Sequence, residues 1–266
     1  MDEVKNNVAM VISNANKNVT PFETIDAIAE AGFKNVFIQW YNRNWSPSQE
    51  EQLEYVKKKG LNVIFAHLGY DHLNDPWLAN DYYRKLLVES YKHDLDACAK
   101  NGIDLVIMHA HGKMPEPKFN EIGIKCFQEI ADYAESLNIR IAFENTKIKG
   151  YLEYLLDNIK NPNVGICFDV GHYHVHFKDE FDFSKFKDKI FAVHLHDNDQ
   201  SDDQHLIPFD GTIDWDKAIQ NLKDCNYNGP ITLELCYRKQ YLEMSVLEFY
   251  KKGYEVAEKL YNMMYK

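Results

Sequence analysis

Hydrophobic and polar positions along the chain follow two alternating rhythms. Short runs of β-branched and aliphatic residues recur at residues 8–13, 35–39, 62–67, 105–109, 140–144, 164–169, 190–194 and 231–234, and their length and composition predict strands. Between them lie longer stretches whose apolar residues return every three or four positions, at 20–31, 47–59, 81–100, 119–137, 151–159 and 215–225, with 246–261 closing the chain. These predict amphipathic helices. The sixth connection, 173–189, has the weakest helical period. Several boundaries carry their own chemistry. Thr20-Pro21 reads as an N-cap followed by proline at the first helical position, with Glu23 placed for a capping box. Ala31-Gly32, Lys59-Gly60 and Asn101-Gly102 each put a glycine where a left-handed residue ends a helix just before the next strand.

Eight strand-helix units imply parallel strands joined by right-handed crossovers, and in a chain of 266 residues they match a closed α/β barrel, the (β/α)8 TIM barrel, as a single domain over 1–266. An open doubly wound sheet is the rival, but no G-x-G-x-x-G follows the first strand. No linker or low-complexity segment interrupts the pattern.

Composition narrows the function classes. At 45% hydrophobic and 27% charged residues the chain is an ordinary globular one, neither disordered nor fibrous. Thirty Lys and Arg against 41 Asp and Glu leave a net charge of −11, a field that repels phosphate backbones and anionic membrane surfaces, so nucleic acid is a disfavoured partner. The five cysteines include no C-x-x-C pair, which suggests neither a disulfide framework nor a thiolate zinc site. With a polar N-terminus, no secretory pattern and no apolar run near the roughly 20 residues that span a bilayer, a cytoplasmic location is expected.

The ionisable residues concentrate at one end of the predicted barrel. Of eleven histidines only His93 falls in a clear helical stretch; His67, His72, His109, His111, His172, His174, His176, His194, His196 and His205 lie at the C-terminal ends of strands or just beyond them. Glu144, Asp169 and Glu234 end the fifth, sixth and eighth strands. In this fold those ends form the face that carries active sites. Two carboxylates about 5 Å apart at an effective dielectric of about 20 repel by roughly 3 kcal/mol, and desolvation adds several more. No lysine or arginine ends a strand in that half of the barrel, so a divalent cation is the simplest counter-charge. Carboxylates mixed with imidazoles suit manganese, zinc, cobalt or iron, with magnesium a poorer match. His72, His174 and His176 read as ordinary polar loop residues.

Glu144-Asn145-Thr146, Asp169-Val170-Gly171-His172, His194-Leu195-His196-Asp197-Asn198 and Leu233-Glu234 together resemble the sugar phosphate isomerase/epimerase branch of the xylose isomerase-like barrel superfamily. The resemblance covers nearly the whole chain. It implies one divalent metal ion held by Glu144, Asp169, His194 and Glu234, with His194 preferred to His196 because it precedes the acidic Asp197 by three positions. The zinc-dependent apurinic/apyrimidinic endonucleases of the endonuclease four type share the fold, and their three-metal pattern has candidates here in His67, His109, His172, Asp203 and His205. The segment from His205 to Trp215 is also similar to the isomerase branch, except that Phe209 stands where a glycine is usual.

The resulting expectation is metal-dependent isomerisation or epimerisation of a sugar, sugar phosphate or related polyol through an enediolate. Glu144 and Glu234 are the expected acid/base pair, and His67, His109, His172 and His205 the substrate-binding residues. Dehydration of a keto-inositol is a variant of the same chemistry. Trp40, Tyr41, Trp45 and Tyr70 are candidates to cover the substrate, and Lys113, Lys147, Lys149 and Arg238 lie near the same face. An endonuclease-like phosphodiesterase and a non-catalytic sugar-binding protein are the competing classes. The partner expected is a small carbohydrate, with oligomerisation left open.

Overall fold

The computed structural model describes residues 2–13, 16, 18–40, 46–112, 115, 117–178 and 182–266. Tyr41, Trp45 and Lys113 lie outside the described residues. The eight expected strands are β1 (Val8–Ile12), β2 (Asn35–Trp40), β3 (Asn62–Leu68), β4 (Leu105–His109), β5 (Arg140–Glu144), β6 (Val164–Asp169), β7 (Ile190–His194) and β8 (Ile231–Leu233). All pair in parallel, in the order β7-β6-β5-β4-β3-β2-β1-β8. The two end strands meet through a parallel bridge between Leu195 and Leu233, where the Leu195 N–H donates to Thr232 and the Glu234 N–H to Leu195. That bridge closes the barrel.

Around it run α1 (Asp2–Asn6), α2 (Pro21–Ala31), α3 (Gln49–Lys58), α4 (Asp81–Lys100), α5 (Glu121–Ser136), α6 (Tyr151–Asn158), α7 (Val170–Phe177), α8 (Trp215–Asp224) and α9 (Val246–Tyr265). Local chemistry sets the entries and exits. At α2 the Thr20 hydroxyl accepts from the Glu23 N–H (3.2 Å) while the Glu23 carboxylate accepts from the Thr20 N–H (2.8 Å), the reciprocal box expected from the sequence. Gly32 follows at φ 114°, a left-handed conformation that a side chain disfavours.

One expectation changes. The sixth connection, read as the least helical, opens with α7 directly at the end of β6, so His172, His174 and His176 are helical. Asp169 makes the difference: its carboxylate caps the helix by accepting from the His172 N–H at 2.6 Å. Its apolar positions Val170, Tyr173 and Phe177 fall at i, i+3 and i+7, but the helix is only eight residues long and interleaved with histidines, so the periodic signal is short.

Register is what positions the site. Pairing of β4 with β5 sets His109 beside Glu144, and pairing of β6 with β7 sets Asp169 beside His194. Beneath these residues the barrel is filled by aromatic rings: Phe37 stacks on Phe65 with centroids 4.5 Å apart, and the His194 imidazole lies on Phe37 at 5.1 Å. The site therefore has a buried apolar floor. Among the described residues no helix is long and apolar enough to cross a membrane.

Candidate active site

Glu144, at the last position of β5, is the hub. Its Oε2 lies 2.9 Å from Nε2 of His67 on β3 and 3.0 Å from Nε2 of His109 on β4. Its Oε1 lies 3.2 Å from Nδ1 of His194 on β7 and 3.3 Å from Nδ1 of His172 on α7. The same His194 Nδ1 stands 3.8 Å from Asp169 Oδ2 and 3.5 Å from Glu234 Oε2. One donor atom each from Glu144, Asp169, His194 and Glu234 thus falls within 4.8 Å of all the others, and all four side chains are buried. Two ligands on opposite sides of one ion, each about 2.0–2.3 Å away, stand at most ~4.6 Å apart, so this spacing suits a single cation.

A second convergence lies beside it. Asp203, in the long connection after β7, turns Oδ2 to Nε2 of His172 (3.2 Å) and Nε2 of His205 (3.1 Å). The metal and substrate-binding candidates Glu144, Asp169, His194, Glu234, His67, His109, His172, Asp203 and His205 therefore all reach the cluster. The four histidines expected to serve substrate, His67, His109, His172 and His205, each face a carboxylate, while the covering aromatics divide: Trp40 is buried and Tyr70 is half-exposed, stacked on His109 at 4.8 Å. Lys147, Lys149 and Arg238 stand at the exposed rim.

Hydrogen bonding fixes the ring orientations. Nδ1 of His67 is 2.9 Å from the Leu68 carbonyl, Nδ1 of His172 is 2.9 Å from that of Asn145, and Nδ1 of His205 is 2.8 Å from that of Glu234. A carbonyl accepts only from a protonated nitrogen, so each Nε2 points at a carboxylate either with a second proton or with its lone pair offered to a cation. Among the described residues no lysine or arginine pairs with Glu144, Asp169, Asp203 or Glu234, and histidines are the counter-charges. This donor set fits a divalent metal: such an ion neutralises the clustered carboxylates, and the imidazole nitrogens turned toward them can offer it lone pairs.

Without an ion, protons take that role. Burial pushes the Glu144 carboxyl up, but the charges of His194 and His109 and hydrogen bonds from His109 and His172 outweigh it and hold the group well below the usual carboxylate range. Burial likewise opposes ionisation of Asp169, yet His172 and His196 bring it down. Burial lowers the imidazoles, but Asp169, Asp203 and Glu144 carry His172 well above its ordinary value. For His196, burial is outweighed chiefly by Asp169, raising it to about 9; for His205, burial and the charge of His196 are outweighed by Cys236 and Asp203, again to about 9. His109 goes the other way, its burial prevailing over Glu144.

The sign of the resulting pH dependence follows. His196 and His205 have folded values above their unfolded values near ~6.5, so their contribution to stability is complete below about pH 6.5 and is lost as pH rises through about 9. Glu144 and Asp169 are depressed, so theirs is present above about pH 4.5 and lost on acidification. In chelator, the melting temperature is expected to be highest between these limits and to fall on the order of 5–10 °C from pH 6 to pH 9. A flat profile across that interval would contradict the pairing.

Two supporting residues were not legible as such. The Asn145 amide clamps the main chain of Asp169, accepting from its N–H at 2.7 Å and donating to its carbonyl at 2.8 Å. Asp197, fully buried, accepts from the Asn198, Phe209 and Ile213 N–H groups and from the Trp215 indole, which staples the connection carrying Asp203 and His205 to the end of β7. Their place in the motifs beginning at Glu144 and His194 was the signal available in the sequence. Phe209 adopts φ 76°, the conformation glycine would take, so the loop keeps a glycine-type turn; its ring sits under the Lys259 ammonium, 3.4 Å from the centroid.

The chain as a whole has known counterparts. The profile of the xylose isomerase-like TIM barrel family matches residues 25–260. The chain belongs to that family. Among curated members, it is 24% identical to an inosose isomerase of Bacillus licheniformis over 80% of this chain and 85% of that protein. A probable endonuclease 4 of Citrifermentans bemidjiense is 27% identical over 60% of this chain and 64% of that protein. Among solved structures, a D-tagatose 3-epimerase-like protein superposes with TM-score 0.76 at 21% identity, covering 97% and 98% of the two chains. The IOLI protein with a binding zinc atom superposes with TM-score 0.74 at 17% identity, with the same coverage. At these identities the structural likenesses establish the fold shared across the xylose isomerase-like barrels.

Proposed function

We propose that this xylose isomerase-like barrel is a divalent-metal-dependent isomerase or epimerase acting on a sugar, sugar phosphate or related polyol. The observation that carries the reading is the buried four-donor set of Glu144, Asp169, His194 and Glu234 above an apolar floor. Those residues would hold the ion, whose chemistry is to polarise a substrate carbonyl and lower the charge cost of the enediolate. The inosose isomerase and epimerase-like relatives support the substrate class, and the zinc of the IOLI protein supports the metal.

The two glutamates are not equivalent. Both oxygens of Glu144 are engaged by four histidines, whereas Glu234 contacts His194 and His205 only through Oε2 and at 3.5 and 3.8 Å. Glu234 is thus the base that takes the α-carbon proton, and Glu144 chiefly holds the donor set in place. Tyr70, half-exposed over His109, covers the substrate on the β3 side. Burial, then the charges of Glu234, Asp71, Glu144 and Asp203, raise its phenol, so it stays a hydrogen-bond donor at neutral pH. Five free, buried cysteines fit action in a reducing cytoplasm.

A second reading, phosphodiester cleavage at abasic sites, draws on the convergence of His67 and His109 on Glu144 and of His172 and His205 on Asp203, which offers donors for two more ions. The net charge of −11 opposes it. Metal analysis of the purified protein separates the two, together with a screen of free and phosphorylated ketoses and keto-inositols in heavy water and an abasic oligonucleotide. About one ion per chain with deuterium incorporated into a sugar product is the expected result. About three ions with strand cleavage would install the second reading instead.

A further inference from the structure

His196 belongs to neither donor set as drawn from the sequence, yet it touches both. It is fully buried, two residues past the end of β7, between the bridge residues Leu195 and Asp197. Its Nε2 lies 3.2 Å from Asp169 Oδ2 and 3.7 Å from Asp203 Oδ1, and its ring stacks on His205 with centroids 4.0 Å apart and planes 19° from parallel.

Nδ1 of His196 is buried and has no hydrogen-bond partner. Nε2 of His194 is buried without a partner as well, so the contacts separate the two rings: His194 Nδ1 faces Glu144, Asp169 and Glu234 together, whereas His196 Nε2 is directed chiefly at Oδ2 of Asp169. The charged ring donates from Nε2 in any case; in the neutral ring a proton on Nδ1 alone would leave the Nε2 lone pair facing a carboxylate oxygen at 3.2 Å. With the proton on Nε2, one bond to Asp169 is made and only a weaker acceptor goes unsatisfied. His196 is therefore a donor to a ligand.

Space has been made for that ring. Gly171 occupies the second position of α7 without a positive φ, where alanine would favour the helix by about 1 kcal/mol. A Cβ there would stand 1.9 Å from Cε1 of His196. The remaining freedom of Asp169 is already restricted: Oδ1 accepts from the His172 N–H and the main chain is clamped by Asn145. Oδ2 is the atom left to be aimed.

We propose that His196 is a positioning residue for the metal site, an Nε2–H donor that fixes Oδ2 of Asp169 and ties the strand-end ligands to the connection bearing Asp203 and His205. The inference rests on the four-donor metal reading above. It predicts that the chemistry of the donor matters and its bulk does not. A glutamine amide can reach where the imidazole Nε2 stands; leucine and methionine fill the space without donating.

The test uses the full chain stripped of metal and titrated with Co2+, following the visible absorption for both dissociation constant and spectrum, with the chelated melting temperature recorded alongside. His196→Leu and His196→Met are expected to bind Co2+ about 10- to 100-fold more weakly than wild type with an altered spectrum, and His196→Gln to stay within about threefold. Gly171→Ala, which keeps every donor but displaces the ring, should weaken binding in the same way despite its better helix propensity. Should one aliphatic variant fail to fold, the other variants still decide. Wild-type affinity and spectrum in the leucine or methionine variant, or a glutamine variant as weak as leucine, overturns the proposal while leaving the metal site intact. Absence of saturable Co2+ binding by the wild type overturns the metal reading and this inference with it.

Discussion

Glu234→Gln is expected to reduce turnover by roughly 10² to 10⁴ while retaining most metal affinity, and Glu144→Gln is expected to lose both turnover and metal. The asymmetry is geometric. An amide keeps one oxygen for coordination, and Glu234 needs only one, since Oε2 alone meets His194 and His205. Glu144 needs two. Its Oε2 serves His67 and His109 and its Oε1 serves His194 and His172, so an NH2 on either side sets donor against donor in a buried site. Wild-type turnover in heavy water should place deuterium on the α-carbon of the product, and Glu234→Gln should abolish that uptake. Full activity in Glu234→Gln, or product formed without deuterium in a single turnover, would replace proton transfer by a direct hydride shift.

Removal of the ion by chelation is expected to abolish turnover and to lower the melting temperature by about 8–15 °C relative to metal-saturated protein. The magnitude follows from linkage: a ligand present at a thousand times its dissociation constant stabilises the native state by about 4 kcal/mol, and a chain of this size shifts by about 2–4 °C per kcal/mol. His194→Ala should remove that response, because its Nδ1 is the atom that Glu144, Asp169 and Glu234 surround. Differential scanning calorimetry with and without Zn2+ or Mn2+ reads both. A wild-type transition unmoved by metal would argue against a resident ion, whatever the enzyme's activity.

The alternation of short apolar runs and 3.6-residue periods determined the barrel from the sequence alone, with strand limits matching to within a residue at β1, β2, β3 and β8 and coinciding at the other four. It also placed Glu144, Asp169, His194 and Glu234 at one end, because a strand's C-terminus in a parallel barrel has only one face to reach. Local signals suffice for these, since capping and hydrophobic period act within a few neighbouring residues. They do not reach across the barrel. That His67 and Glu144, 77 residues apart, share a contact depends on closure and on strand register. So do the four-histidine embrace of Glu144 that leaves Glu234 freer and the position of His196 between the two donor sets. The α7 helix shows the same limit from the other side: its stripe of Val170, Tyr173 and Phe177 is too short to stand out among histidines, and Asp169 caps the helix while that stripe is buried. Histidines that look alike along the chain acquire different tasks only when tertiary packing decides which nitrogen meets a carbonyl and which meets a carboxylate.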